Sequence, residues 1–212
     1  EGQGLCVRPQ FRSVRGCVML ARVSNIEAFR QWRLTDDPPE TLVQRLTAFE
    51  PTEAMLAGIA FHKALELAQP GEYDRLEANG YTFILPDDCE LYLPKVRELR
   101  CYRQYGPLTV TGRVDALEGK RIEDHKTTAY FAAERYLDGC QWRFYLDIFG
   151  ADVFRWNVFE VRPVEGSPKT YTVSAPHELE AFRYSALHSD CMELAEAYYE
   201  FAIKHLPRKE AA

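Results

Sequence analysis

The stretch LTVTGRVDALEGKRIEDHKTT, residues 108–128, decides the fold of this chain. Residues 108–116 and 121–127 are two extended runs in which β-branched side chains recur. The segment LEGK between them is typical of a tight turn that joins antiparallel strands. The stretch therefore predicts a β-hairpin.

The predicted hairpin brings three charged side chains together. Reflection about its turn places Asp115 nearly opposite Asp124, because the midpoint between them falls at Gly119-Lys120. Since side chains alternate between the two faces of a strand, Asp124 and Lys126 share a face. We therefore expect a pair of carboxylates with a lysine beside it.

This grouping has the composition of a metal site. Two close carboxylates repel each other unless a cation neutralises them, and oxygen ligands suit Mg²⁺ or Mn²⁺. Such an ion activates water and polarises a phosphodiester, while Lys126 stabilises the developing charge. The spacing alone fits equally well an ordinary hairpin in which Asp115 and Lys126 form a cross-strand ion pair.

Upstream of the hairpin, residues 52–69 predict a helix that ends before Pro70-Gly71. Its broad apolar face predicts that it is well buried; the residues are Met55, Ile59, Leu65 and Leu67. The segment GIAFHKALE (58–66) places His62 on this helix, with Glu66 one turn beyond. A lone histidine on such a helix is more often a hydrogen-bonded core residue than a metal ligand.

Downstream, residues 132–149 predict a further helix. It contains QWRFY (141–145), which places Gln141 and Tyr145 on one helical face. Taken alone, this pair indicates only a polar edge on a packed helix.

The rest of the chain predicts alternating helices and strands without a repeat or a long linker. Ser24-Asn25-Ile26-Glu27 is typical of a capping box that starts a helix to about Arg33, which Pro38-Pro39 must end. Further strands are predicted at 81–85, 90–93, 96–105, 153–161 and 170–174, and a final helix at 176–205. We expect one domain, 1–212.

Composition narrows the class of protein. The chain has 212 residues, 46% of them hydrophobic, and no run of apolar residues long enough to span a membrane. Its start lacks the pattern of a cleavable signal peptide, so we expect a cytoplasmic protein without a membrane partner. The six cysteines form no CxxC pair, which favours reduced thiols over a metal site or a disulfide.

The charge distribution is uneven. A net charge of −6 argues against a surface made for indiscriminate phosphate binding. Residues 2–35, however, contain six arginines and one acid, a local excess of +5, so the helical N-terminal part of about 1–50 is locally basic. It would contact phosphates or form a solvated helix face. Its aromatic residues Phe11, Phe29 and Trp32 would stack on bases or belong to the core.

Four motifs in this order resemble the PD-(D/E)XK nuclease superfamily, and within it the RecB-like exonucleases. That group includes phage recombination exonucleases and CRISPR adaptation nucleases. The motifs are GIAFHKALE (58–66), GRVDAL (112–117), IEDHKTT (122–128) and QWRFY (141–145), and the resemblance spans residues 24–161. It implies an α/β (α+β) fold with a restriction-endonuclease-like core, in which helices flank a mixed central β-sheet.

The resemblance also implies roles for individual residues. The metal ligands would be His62, Asp115, Asp124 and the backbone carbonyl of His125. Lys126 would be the catalytic lysine, and Gln141 and Tyr145 would orient the substrate or that lysine. Glu66 would support the ligands from the same helix as His62.

The implied function is that of a DNA nuclease dependent on Mg²⁺ or Mn²⁺, an exonuclease in DNA recombination, DNA repair or phage DNA processing. Its partners would be DNA and a separate recombinase or single-strand-binding protein, and a homo-oligomer stays open. Several RecB-like relatives hold an iron–sulfur cluster, but the late cysteines of this chain are only Cys140 and Cys191, so we expect no cluster. The alternatives are a structure-selective endonuclease, an inactive nucleic-acid-binding protein of the same fold, and an interaction protein.

Overall fold

The computed structural model describes residues 19–207 except 49, 70, 88 and 92. Its helices are α1 (Val23–Trp32), α2 (Pro39–Thr47), α3 (Glu53–Leu67), α4 (Glu134–Leu137), α5 (Gln141–Phe149) and α6 (Leu187–His205). Its strands are β1 (Met19–Arg22), β2 (Gly71–Glu72), β3 (Arg75–Ala78), β4 (Tyr81–Ile84), β5 (Glu90–Leu91), β6 (Val96–Tyr105), β7 (Leu108–Glu118), β8 (Arg121–Thr128), β9 (Val153–Pro163), β10 (Thr170–Val173) and β11 (His177–Phe182). Within this part of the chain, no helix is both long enough and apolar enough to cross a bilayer.

The strands form a mixed sheet in the order β1-β7-β8-β9-β10-β4-β3, with β6 beside β7 and β11 beside β9. The pairs β1–β7, β8–β9 and β4–β10 are parallel, whereas β6–β7, β7–β8, β9–β10, β9–β11 and β3–β4 are antiparallel. Strands β2 and β5 form a separate small pair. The predicted mixed central sheet flanked by helices is confirmed.

The predicted hairpin is β7–β8. Ala116 pairs with Glu123 and Glu118 with Arg121, which leaves Gly119 and Lys120 as a two-residue turn. Gly119 has a φ of +57°, a conformation that glycine adopts without steric cost. The register agrees with reflection of the sequence about this turn.

Helices cover both faces of the hairpin. On one face, Ile122 belongs to a core that includes Phe144 of α5 and Tyr198 of α6. On the other, the His125 ring lies beside Phe159, which packs in a second core with Phe61 of α3. Residues of β8 therefore alternate between α5 and α3, which positions both helices next to the strand.

The prediction of a single final helix from residue 176 is wrong at its start. Residues 177–182 form β11, which pairs with β9 from Val158 back to Val153. This segment, HELEAF, alternates between polar and apolar residues, and Leu179 and Ala181 pack against the main core. The unpaired edge of β9 outweighs the helix propensity of the glutamates and alanine.

The predicted capping box and the helix over 132–149 are also corrected. Helix α1 begins at Val23 without a side-chain cap, and Glu27 instead accepts a hydrogen bond from the Cys140 backbone N–H at 2.6 Å. This carboxylate lies beside the residues that separate α4 from α5. Its Oε2 is 3.5 Å from the position that a Cβ on Gly139 would occupy. The predicted helix is therefore two helices, and Glu27 satisfies an amide at the start of the second.

Helix α3 is less buried than its apolar composition predicts. Phe61 and Leu65 are in the core, but Met55, Ile59 and Leu67 are 46%, 56% and 60% exposed. The apolar residues surround the helix, whereas the sheet covers only one side of it. One side of α3 thus packs on the sheet and the other carries exposed apolar side chains.

Candidate active site

The site lies where one edge of β7 changes its partner. Up to Thr111 this edge pairs with β1, and from Ala116 onward it pairs with β8. Asp115 lies in the interval, and its Oδ2 accepts a hydrogen bond from the His125 backbone N–H at 2.7 Å. The Asp115 carboxylate therefore links β7 to β8 directly.

Helix α3 contributes His62, whose Nδ1 lies 3.3 Å from Asp115 Oδ2. The helix approaches β8 closely because residue 58 is glycine: a Cβ there would lie 2.9 Å from Thr127 Oγ1. At the other end of α3, Arg97 Nη1 donates hydrogen bonds to three carbonyl oxygens, those of Leu65, Glu66 and Ala68, at 2.9, 2.9 and 2.7 Å. A close contact and a guanidinium group thus fix the helix that carries His62.

Asp124 and Lys126 share a face of β8, as predicted. Lys126 Nζ donates a hydrogen bond to Asp124 Oδ1 at 3.1 Å and lies 2.9 Å from Oδ2. The Asp124 side chain is only 4% exposed, and its buried Oδ2 contacts Nζ as an ion pair and accepts no hydrogen bond. This leaves a carboxylate oxygen with unused capacity to accept or coordinate.

Helix α5 adds the predicted Gln141–Tyr145 pair. Gln141 Nε2 donates a hydrogen bond to Tyr145 Oη at 3.3 Å, and the Tyr145 ring stacks on Phe154 at 5.8 Å between centroids. A Cβ at position 112 would lie 2.7 Å from Tyr145 Cε1, so Gly112 allows this ring to cross β7. The phenol therefore lies on the α5 face of the sheet, beside the interval that contains Asp115.

The pKa values of Asp115 and Lys126 shift apart. Burial opposes ionisation of Asp115, but the hydrogen bond and charge of His62 and the ammonium of Lys126 lower its pKa well below the usual range. Burial would also lower the pKa of Lys126, but the carboxylates of Asp124 and Asp115 raise it above its ordinary value. Asp115 is therefore ionised and Lys126 protonated at neutral pH.

The pKa values of three other buried groups, Asp124, His125 and His62, are also shifted. Burial raises the pKa of Asp124 to about 6, with Lys126 opposing the shift and Asp115 adding to it. Burial lowers the pKa of His125 to about 4. Burial also lowers that of His62, but the hydrogen bond to Asp115 outweighs it and raises the value.

Glu66 and His125 each make a contact that the sequence did not predict. Glu66 lines the same small pocket as His62 and Asp115, but its Oε2 accepts a hydrogen bond from Lys63 at 2.9 Å. His125 contributes its backbone N–H to Asp115, and its ring lies 6.5 Å from that of His62 between centroids. Glu66 thus faces a lysine of its own helix, and the role of the His125 carbonyl stays a prediction.

Glu98 and Arg97 also line this pocket, although no sequence pattern singles them out. Glu98 lies within β6 with a φ of +55°, and its Oε2 is buried without a hydrogen bond. Arg113 Nη1 is 2.9 Å from that oxygen. Helix and strand patterns reveal neither the backbone conformation of Glu98 nor the contacts of Arg97.

The side chains fit a divalent cation in type. Carboxylate oxygens are the ligands that Mg²⁺ and Mn²⁺ favour, and two buried ones, Asp124 Oδ2 and Glu98 Oε2, have an ion-pair contact but no hydrogen bond. Across residues 19–207, leaving out the four gaps, no three acidic, histidine or cysteine side chains converge on one point. Binding therefore requires the carboxylates to turn from Lys126 and His62 towards the ion.

The N-terminal basic stretch is described only in part. Arg8, Phe11, Arg12 and Arg15 lie outside the described residues. Arg30 pairs with Glu27 at 2.8 Å. Phe29 is buried and Trp32 packs against the same core. The core alternative is therefore the correct one for these two aromatic residues.

The cysteines agree with the prediction in part. Cys89, Cys140 and Cys191 are buried free thiols. Cys101 is disulfide-bonded, so the prediction of reduced thiols is wrong at this position. Sequence spacing reveals only pairs that are close along the chain, whereas a disulfide needs proximity in the fold.

Some solved structures resemble this chain weakly. No family model matches the chain, and no curated protein matches it. Among solved structures, the protein SSO0001 has 17% identity and a TM-score of 0.48, with 90% of this chain and 79% of that chain covered. A phage-related exonuclease from Haemophilus somnus 129PT has 14% identity and a TM-score of 0.40, with 86% and 82% covered.

Proposed function

We propose that this chain is a DNA nuclease that depends on Mg²⁺ or Mn²⁺ and hydrolyses phosphodiester bonds as an exonuclease. The observation that carries the proposal is the hairpin site itself: Asp115 and Asp124 on adjacent strands, with Lys126 in contact with Asp124. His62 reaches the same place from α3, with its Nδ1 3.3 Å from Asp115. The resemblance of the four ordered motifs supports DNA as the substrate.

His62, Asp115 and Asp124 would hold the cation, and the carbonyl of His125 would be a further ligand. The cation supplies an activated water and a positive charge next to the phosphate. Lys126 would donate a hydrogen bond to the attacking oxygen or to a phosphate oxygen, because its raised pKa keeps it protonated. It would leave Asp124 for this role, which frees a buried carboxylate to act as a ligand.

Gln141 and Tyr145 would position the substrate. Their side chains hydrogen-bond to each other, and the Tyr145 ring is fixed between Phe154 and Gly112. A rigid phenol beside the carboxylates can orient a phosphate without taking part in proton transfer at neutral pH, since burial raises its pKa to about 12.

The test is release of acid-soluble nucleotides from end-labelled single- and double-stranded DNA with Mg²⁺, Mn²⁺ or EDTA. Wild type is compared with Lys126→Ala and with Lys120→Ala as a matched control. Lys120 belongs to the same hairpin, but its side chain is 72% exposed and pairs with Asp152. We expect metal-dependent release by wild type and Lys120→Ala, and a loss of at least about 100-fold in Lys126→Ala with DNA binding retained.

The outcomes separate the alternatives. Stepwise shortening from the label supports an exonuclease, whereas discrete internal products or cutting of circular DNA indicates an endonuclease. DNA binding without cleavage by any of the proteins favours an inactive nucleic-acid-binding protein. If none of them binds DNA at low salt, the proposal is wrong.

A further inference from the structure

Glu98 faces Asp115 across two strands. In the β6–β7 pairing, Arg97 lies opposite Ala116 and Leu99 opposite Val114, so Glu98 lies opposite Asp115 without a shift of register. The pairing of Ala116 with Glu123 places Asp124 opposite Asp115 on its other side. Three acidic residues therefore hold equivalent register positions across β6, β7 and β8, and two of them, Glu98 and Asp115, line the same pocket.

This row of acidic residues lowers the stability of the sheet when no cation neutralises it. Like charges directly opposite each other on neighbouring strands are destabilising. Glu98 also has a φ of +55°. This value lies in the left-handed region, which residues other than glycine and asparagine rarely adopt. Strained residues of this kind are retained where the surrounding structure or a function requires them.

The carboxylate of Glu98 is directed towards the candidate site. It lines the pocket with His62, Glu66 and Asp115, and its side chain is 22% exposed. Its Oε2 is one of the buried atoms without a hydrogen bond. The charged groups around it are Arg113 and His62, which favour its ionised form, and Asp115 and Glu66, which oppose it.

The contact with Arg113 does not account for this arrangement. Arg113 Nη1 is 2.9 Å from Glu98 Oε2, but the arginine side chain is 59% exposed and the pair lacks hydrogen-bond geometry. Ion pairs with exposed arginines contribute little to stability. A glutamate in a relaxed conformation, or a shorter residue, would serve such a pair equally well.

We propose that Glu98 is a cation-binding residue of this site, a third carboxylate on the side of Asp115 away from Asp124. The inference rests on the proposed function in one respect, the presence of a divalent ion. It does not depend on which substrate is cleaved. A third carboxylate increases the negative charge around the ion and so its affinity.

The test measures Mn²⁺ binding by calorimetry and thermal unfolding in EDTA for wild type, Glu98→Gly and Glu98→Gln. Glu98→Gly removes both the carboxylate and the strain, whereas Glu98→Gln removes only the charge and keeps the side chain at a positive φ. The control is Asn79→Gly, which places glycine at another left-handed position, φ 52°, in the exposed β3–β4 turn.

We expect both Glu98 variants to bind Mn²⁺ at least about 10-fold more weakly than wild type. Glu98→Gly should also melt about 2–4 °C higher in EDTA, because strain and repulsion are relieved. Asn79→Gly should retain wild-type affinity. A gain in stability that accompanies a loss of cation affinity is the opposite of what a structural glutamate predicts.

Wild-type Mn²⁺ affinity in both Glu98 variants would overturn the inference, while metal-dependent cleavage by wild type would leave the nuclease proposal intact. Reduced affinity in both variants, without cleavage of any nucleic acid by wild type, supports the cation site and refutes the nuclease. If wild type binds no Mn²⁺, both the inference and the metal dependence are wrong. Should Glu98→Gly fail to fold, Glu98→Gln decides, because it changes no backbone preference.

Discussion

The Asp115 carboxylate accepts a hydrogen bond from the His125 backbone N–H at 2.7 Å, beyond the last paired residues of the β7–β8 ladder. Asp115 therefore holds two strands together besides facing His62. Asp124 has a different environment, since the hydrogen bond to its carboxylate comes from the neighbouring Lys126. The two candidate ligands differ in what they contribute to the fold.

Asparagine substitutions should therefore affect stability unequally at pH 7. Asp115→Asn loses a charge-assisted hydrogen bond and the partner of His62, which should cost about 1.5–3 kcal/mol of unfolding free energy. Asp124→Asn should be neutral or stabilising, because burial disfavours the ionised carboxylate. Thermal melts in EDTA measure both, and nuclease assays should show cleavage lost in each.

The stability contributed by Asp124 should depend on pH. Its pKa is raised from 3.8 to about 6 in the folded protein. A raised pKa means that the stability contributed by the protonated form is complete below about 4 and is lost as the pH rises through about 6. The melting temperature of Asp124→Asn relative to wild type should thus increase between these values. An equal loss of stability in both asparagine variants at pH 7 would contradict this account.

Much of the site can be predicted from the sequence because a two-residue turn fixes which residues of the two strands pair. Reflection about Gly119-Lys120 places Asp115 opposite Asp124, and the structure agrees. The same reflection about Gly106-Pro107 would have placed Glu98 opposite Asp115. The information was present in the predicted bounds of β6 and β7.

Other features depend on contacts that local patterns do not contain. Glu27 acts on an amide 113 residues away, so its sequence neighbours indicate only a cap for its own helix. Strand β11 forms because β9 offers a free edge, which outweighs the helix propensity of its residues. The left-handed backbone of Glu98 requires tertiary constraints, because no local preference favours it.

Glu27→Gln should destabilise the protein by about 1–3 kcal/mol at pH 7. The carboxylate accepts hydrogen bonds from the Cys140 N–H at 2.6 Å and from Arg30 at 2.8 Å. Burial opposes its ionisation, but Arg30 and Cys140 lower its pKa below 4.5. Because this pKa is lowered, the ionised carboxylate stabilises the fold fully above about pH 4.5. That contribution is lost as the pH falls through the folded-state pKa.

Denaturant unfolding of wild type and Glu27→Gln should therefore differ most at pH 7 and converge in acid. Because Cys140 directly precedes α5, the variant should also loosen Gln141 and lower cleavage. A constant difference between pH 7 and pH 3 would show that the charge of Glu27 is irrelevant.

Tyr145→Phe should separate the phenol hydroxyl from the packing of its ring. The ring stacks on Phe154 and the residue as a whole is 7% exposed, so phenylalanine fits the same space. The substitution removes the hydroxyl and with it the hydrogen bond that Gln141 Nε2 donates at 3.3 Å. We expect stability within about 1 kcal/mol of wild type and cleavage reduced about 10–100-fold, measured as initial rates at saturating metal. Unchanged rates would remove Tyr145 from the proposed site.

Gly58→Ala should displace α3 from β8. Its Cβ would lie 2.9 Å from Thr127 Oγ1, closer than such contacts allow, and a β-branched side chain in a strand has few alternative rotamers. Overpacking of this kind costs about 1–3 kcal/mol. Because His62 lies one turn beyond residue 58, its contact with Asp115 should lengthen and Mn²⁺ affinity should fall.

Thr127→Ala provides the matched second change, because it removes the Oγ1 that the new methyl group would meet. The double variant Gly58→Ala with Thr127→Ala should recover most of the lost stability and Mn²⁺ affinity, whereas Gly58→Ala with Thr127→Ser should not. The two sites are in contact, so a double-mutant cycle should give a coupling free energy of about 0.5–3 kcal/mol. Additive effects would mean that Gly58 acts through the flexibility of the helix and not through its approach to β8.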